Sequence, residues 1–148
     1  EDNTNGKMKE IENLYYESIK RMGDTEYATR LVLPDMNPKV TQLAVGTYAK
    51  DCVGENAVLL YANDVGSNGK EGFFITNKKL YVSGGGLFSK PQAIPLKSIA
   101  SMECVPKDYH IKVNNVKLKL PYFYTKPAII TELFELLKKV IPLATEVE

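Results

Sequence analysis

The apolar residues of this chain change period twice. From Lys7 to Met22 they recur at helical spacing, as Met8, Ile11, Leu14, Tyr15, Ile19 and Met22, while Lys9, Glu10, Glu12, Glu17 and Lys20 fill the other face. From Ala57 to Leu120 the period falls to two, the alternation of side chains along a strand. After Pro127 helical spacing returns: Ile130, Leu133, Leu137, Val140 and Ile141 share one face, and Pro142 reads as the stop. This order predicts an α+β fold, a strand meander set between helices.

Turn chemistry divides the middle into seven strands. The first is Ala57–Asn63, and the loop 64–70 leads to the second, Gly72–Thr76. Asn77-Lys78 turns the chain into Lys79–Ser83, and Gly84-Gly85-Gly86 opens a longer loop. Gln92–Leu96 and Ile99–Val105 follow, and Pro106-Lys107-Asp108 turns into Tyr109–Val113. Asn114-Asn115 suits a two-residue hairpin turn because Asn tolerates positive φ. Val116, Leu118 and Leu120 then alternate with Lys117 and Lys119. Ahead of the strands, Asn37-Pro38 reads as a helix start and Gly54 as its end. The expected organisation is an N-terminal helical segment over 1–36 and a main domain over 37–148. Within that domain lie a leading helix at 37–53, strands at 57–120 and a C-terminal helix at 126–141.

A chain of 148 residues has room for one domain with a short appendage. Its net charge of +1 excludes a strongly basic nucleic-acid binder, and no apolar run is long enough to span a membrane. The balance is uneven: residues 77–126 carry +7 and both flanks are acidic. Cys52, Cys104 and the single His110 are too few for a zinc site. The cysteines are read as two reduced thiols, with a single bridge as the alternative. No cofactor is expected.

Two stretches carry a family resemblance. They are Glu55-Asn56-Ala57-Val58-Leu59-Leu60-Tyr61, and Gly69-Lys70-Glu71-Gly72-Phe73-Phe74-Ile75-Thr76-Asn77-Lys78-Lys79-Leu80-Tyr81. A strand led by an acidic residue is joined to one ending in Thr-Asn-Lys with a following Tyr. This resembles bacterial PH-like domains of the pleckstrin-homology and GRAM-like group, as does Ile94-Pro95-Leu96-Lys97-Ser98-Ile99. The resemblance covers about residues 53–141. It implies a seven-stranded antiparallel barrel or sandwich capped by a C-terminal helix, and a binding or regulatory role without catalytic residues. The first hairpin departs from the lipid-headgroup pattern, offering only Lys70 beside Asp64 and Glu71.

Weighed for chemistry, Cys104 and His110 flank a turn, but a nucleophile and its base must share one face. The Gly84-Gly85-Gly86 loop lacks the helix that a phosphate loop needs behind it. The expected function is therefore a non-enzymatic interaction module for a protein or peptide partner, placed in a bacterial assembly in the cytoplasm. The alternative is peripheral binding to anionic lipid through Lys78, Lys79, Lys90, Lys117 and Lys119, helped by Leu87 and Phe88 on the glycine loop. Nucleic acid is not expected, since the basic stretch lacks stacking aromatics interleaved with arginine. The stripe of Met8, Ile11, Tyr15, Ile19 and Met22 is read as a partner or self-association surface, because a barrel with its own C-terminal cap does not need it.

Overall fold

The computed structural model describes residues 3–23, 26–62, 71–83, 90–120 and 126–148. The first stripe forms α1 (Asn3–Met22), and α2 (Glu26–Arg30) leads directly into β1 (Leu31–Val32). The next helix, α3 (Pro38–Gly46), starts where Asn37 and Pro38 indicate: Asn37 Oδ1 accepts from the Val40 N–H at 3.2 Å. It is shorter than the expected 37–53. Thr47 leaves helical geometry and donates its hydroxyl back to the Leu43 carbonyl, so Lys50–Cys52 is a separate 3-10 turn.

All seven strands expected between 57 and 120 are present. They are β2 (Ala57–Ala62), β3 (Gly72–Thr76), β4 (Lys79–Val82), β5 (Gln92–Pro95), β6 (Met102–Val105), β7 (His110–Val113) and β8 (Val116–Lys119). They form two antiparallel sheets, one of five strands in the order β1-β2-β3-β4-β5 and one of three in the order β6-β7-β8. Of the barrel or sandwich expected, a closed barrel is not formed. β1 occupies part of the β2 edge that closure would use, pairing Leu31 with Tyr61 and Val32 with Leu60. At the other corner the 3-10 turn Leu96–Ser98 separates β5 from β6.

The five-stranded sheet is covered on both faces. Leu59, Tyr61, Phe73 and Ile75 belong to the main core, shared with the second sheet and the helix α4 (Pro127–Ala144). Leu60, Phe74 and Tyr81 pack instead with Val40, Ala44 and Tyr48 of the α3 region. Two-sided burial explains why β2 and β3 read as continuous apolar runs.

The first-helix stripe does not face outward. Ile11, Tyr15 and Met22 are buried in the main core, with Met8, Leu14 and Ile19 packed against it. The expectation of a partner surface at these residues is corrected accordingly: the stripe docks on the body. Lys7 reaches Glu146 and Arg21 reaches Glu132, so α1 lies antiparallel along α4. Tyr15 adds a hydrogen bond to the Leu31 carbonyl at 2.7 Å, and burial pushes its phenol up to about 12.

Pro142 lies inside α4 and does not end it. A proline removes one i→i−4 hydrogen bond but keeps a helical φ. Ile141, Ala144 and Val147, all buried, give the chain an apolar reason to continue past it.

Candidate functional site

The residues that carry the family resemblance meet in one hydrogen-bond cluster. Glu55 Oε1 accepts from the Thr76 hydroxyl at 2.7 Å and from the Tyr81 hydroxyl at 2.8 Å. Burial and the Glu55 carboxylate both push the Tyr81 phenol well above its ordinary range. The Thr76 oxygen also receives the Lys78 and Lys79 amides, which closes the β3–β4 turn. Asn77 receives the Asn56 amide and donates to the Val147 carbonyl at 2.8 Å, fastening the C-terminal residues to the sheet. These polar groups satisfy one another and build a turn. Their chemistry is architectural.

Cys104 and His110 do not form a pair. The β6–β7 register sets Cys104 opposite Ile111 and Val105 opposite His110. Alternation therefore sends the Cys104 thiol and the His110 ring to opposite faces. Both cysteines are free, and burial raises the pKa of each thiol, which disfavours the thiolate.

The lysines divide between the two sheets. Lys78 and Lys79 lie at the β3–β4 turn, with Lys79 opposite Pro95, and Lys90 precedes β5. On the three-stranded sheet Lys112 stands opposite Lys117, but Glu103 completes the same row. Lys119 pairs with His110 in register; its side chain lies outside the described residues, as do Leu87 and Phe88. Among the described residues no helix is long and apolar enough to cross a membrane.

A different feature has the form of a binding site. Between α4 and the segment entering β6 runs a groove of about 460 Å3, floored by Leu96, Ile99 and Met102 and walled by Phe134 and Ile141. Lys138 is the charged residue of its lining. The local sequence accounts for the floor. Pro95, at φ −57°, leads into the turn Leu96–Ser98, and the buried Leu96 anchors it by donating its backbone N–H to the Lys78 carbonyl at 2.9 Å.

Beyond the turn, Asn114 holds the chain extended. Its side-chain oxygen accepts from the Ala100 amide at 2.8 Å and the Ser101 amide at 3.2 Å, and its side-chain nitrogen donates to the Ser98 carbonyl. Asn114 adopts φ 52°, the left-handed conformation that Asn tolerates. On the facing helix, the Lys138 ammonium sits 5.1 Å from the centre of the Phe134 ring and 3.8 Å from Glu135.

The groove follows the segment Leu96–Ser101 and reaches β6 at Met102; among the described residues β6 is an edge strand of the three-stranded sheet. An edge strand presents unpaired backbone donors and acceptors. Phe134 and Lys138 were missed in the sequence because they flank the apolar stripe of α4 without belonging to it. Asn114 was legible as a turn residue, but its hold on Ser98–Ser101 spans two strands. Comparisons with protein-family models, curated proteins and solved structures give no match to this chain.

Proposed function

We propose that the protein is a non-enzymatic interaction module that binds an extended peptide segment of a protein partner. The segment adds to the free edge of β6 and sets an apolar side chain in the groove against α4. The observation that carries this reading is an apolar trough that meets β6 at Met102, where β6 is, among the described residues, an outer strand of its sheet. Strand addition supplies main-chain hydrogen bonds, and a pocket beside the strand supplies side-chain selection. Lys138 at the rim favours an acidic residue next to the apolar anchor. The alternative, anionic lipid, would draw on Lys78, Lys79, Lys90, Lys117 and Lys119, but these divide between two sheets and Glu103 stands in the row of Lys117.

A random peptide library selected against the full chain tests the proposal. Enriched sequences should share one apolar position with an acidic neighbour. Ala100 is exposed and lines the groove, so Ala100→Trp fills the trough without entering the core. Binding should fall at least about tenfold in that variant, roughly 1.4 kcal/mol, and stay unchanged in Lys117→Gln. Equal binding by wild type and Ala100→Trp would overturn the proposal.

A further inference from the structure

A second cleft lies on the flank of α1 that does not face the core. Tyr16, Met36 and Val53 are the exposed large apolar residues among those described. Two of them, Tyr16 at 54% and Met36 at 51% exposure, line one cleft of about 240 Å3 between α1 and the 3-10 turn Pro34–Met36. Met8 and Leu33 extend its apolar wall, and Glu12 and Asp35 bring carboxylates to it.

The Tyr16 ring has a fixed neighbour on one side. It meets the Tyr15 ring edge-on at 5.1 Å, and Tyr15 is fixed by its bond to the Leu31 carbonyl. Among the described residues, neither Glu12 nor Asp35 has an ion-pair partner.

This combination selects its occupant. A purely apolar group would cover Tyr16 and Met36 at the cost of stripping water from carboxylates it cannot satisfy. An arginine side chain meets every group present. Its guanidinium bonds to carboxylates through a planar fork and stacks on an aromatic face, and its aliphatic stem packs on apolar neighbours. We propose that the cleft between α1 and Pro34–Met36 receives an arginine side chain of a protein partner. None of its lining residues belongs to the groove beside β6, so it is an independent contact point.

The test is a titration of the isotope-labelled full chain with acetyl-Leu-Arg-Leu-amide, followed by amide chemical shifts. The expected result is a set of shifts centred on Glu12, Tyr16, Asp35 and Met36. Affinity should fall about tenfold in the double variant Glu12→Gln, Asp35→Asn and with acetyl-Leu-Gln-Leu-amide as ligand. Both substitutions are outside the core, and an unchanged melting temperature confirms that the variant is folded. Equal binding of the Gln peptide would mean an apolar contact only and overturns the proposal. Shifts elsewhere do the same, and so does a dimer of the wild-type chain in sedimentation that the double variant dissociates.

Discussion

Glu132 accepts hydrogen bonds from the Ser18 hydroxyl and from both Nε and Nη2 of Arg21. The Arg21 bonds come first among the causes that hold its carboxyl below the usual carboxylate range. A carboxylate with a depressed folded pKa adds stability that is complete above the unfolded value, about 4.3, and is lost as pH falls through the folded value. Wild type should therefore have the higher urea midpoint at neutral pH, by a constant margin over Glu132→Gln, and lose that margin only as pH falls below about 4.3. Parallel curves would show that Glu132 contributes nothing through its charge. Asn114 permits a similar separation of roles. Asn114→Gly keeps the left-handed backbone but removes three hydrogen bonds to Ser98–Ser101. Peptide affinity should drop several-fold, with faster dissociation, while hairpin β7–β8 stays formed. An unchanged dissociation rate would mean that the groove floor does not need this brace.

The elements were legible in the sequence wherever a period was sustained. Turn residues bound the seven strands, alternation is clean in β8, and helical spacing gives the type of the first and last helices. β1 was not legible, because two residues cannot display a period, and only their pairing to Tyr61 and Leu60 makes them a strand. Nor was the docking of α1, because an apolar stripe states that it must be covered and not by what. The apolar runs of β2 and β3 held an unused clue: strands buried on both faces require a covering layer beyond the second sheet, and α3 is that layer. The groove was invisible, since its wall and floor come from residues far apart in sequence. Leu137 of α4 is fully buried in the main core. Leu137→Ala should cost about 2–5 kcal/mol by urea denaturation. A loss below about 1 kcal/mol would be out of line with a docked helix.

At the scale of the whole molecule, two sheets and α4 enclose one core, α3 covers the outer face of the larger sheet, and α1 lies on α4. This arrangement distributes the lysines over both sheets and leaves the β6 edge beside an apolar trough. Sedimentation with phosphatidylserine-containing vesicles should accordingly carry down no more protein than neutral vesicles do. Salt-sensitive binding that Lys112→Gln and Lys117→Gln weaken would instead favour the lipid alternative. The most direct measurement is hydrogen–deuterium exchange of the full chain with and without a library-selected peptide. Strand addition on β6 should slow exchange of the outward-facing amides within Met102–Val105, together with amides along Phe134–Ile141 of α4. Protection confined to β8, or none on β6 at saturating peptide, would contradict a module that binds by extending its smaller sheet.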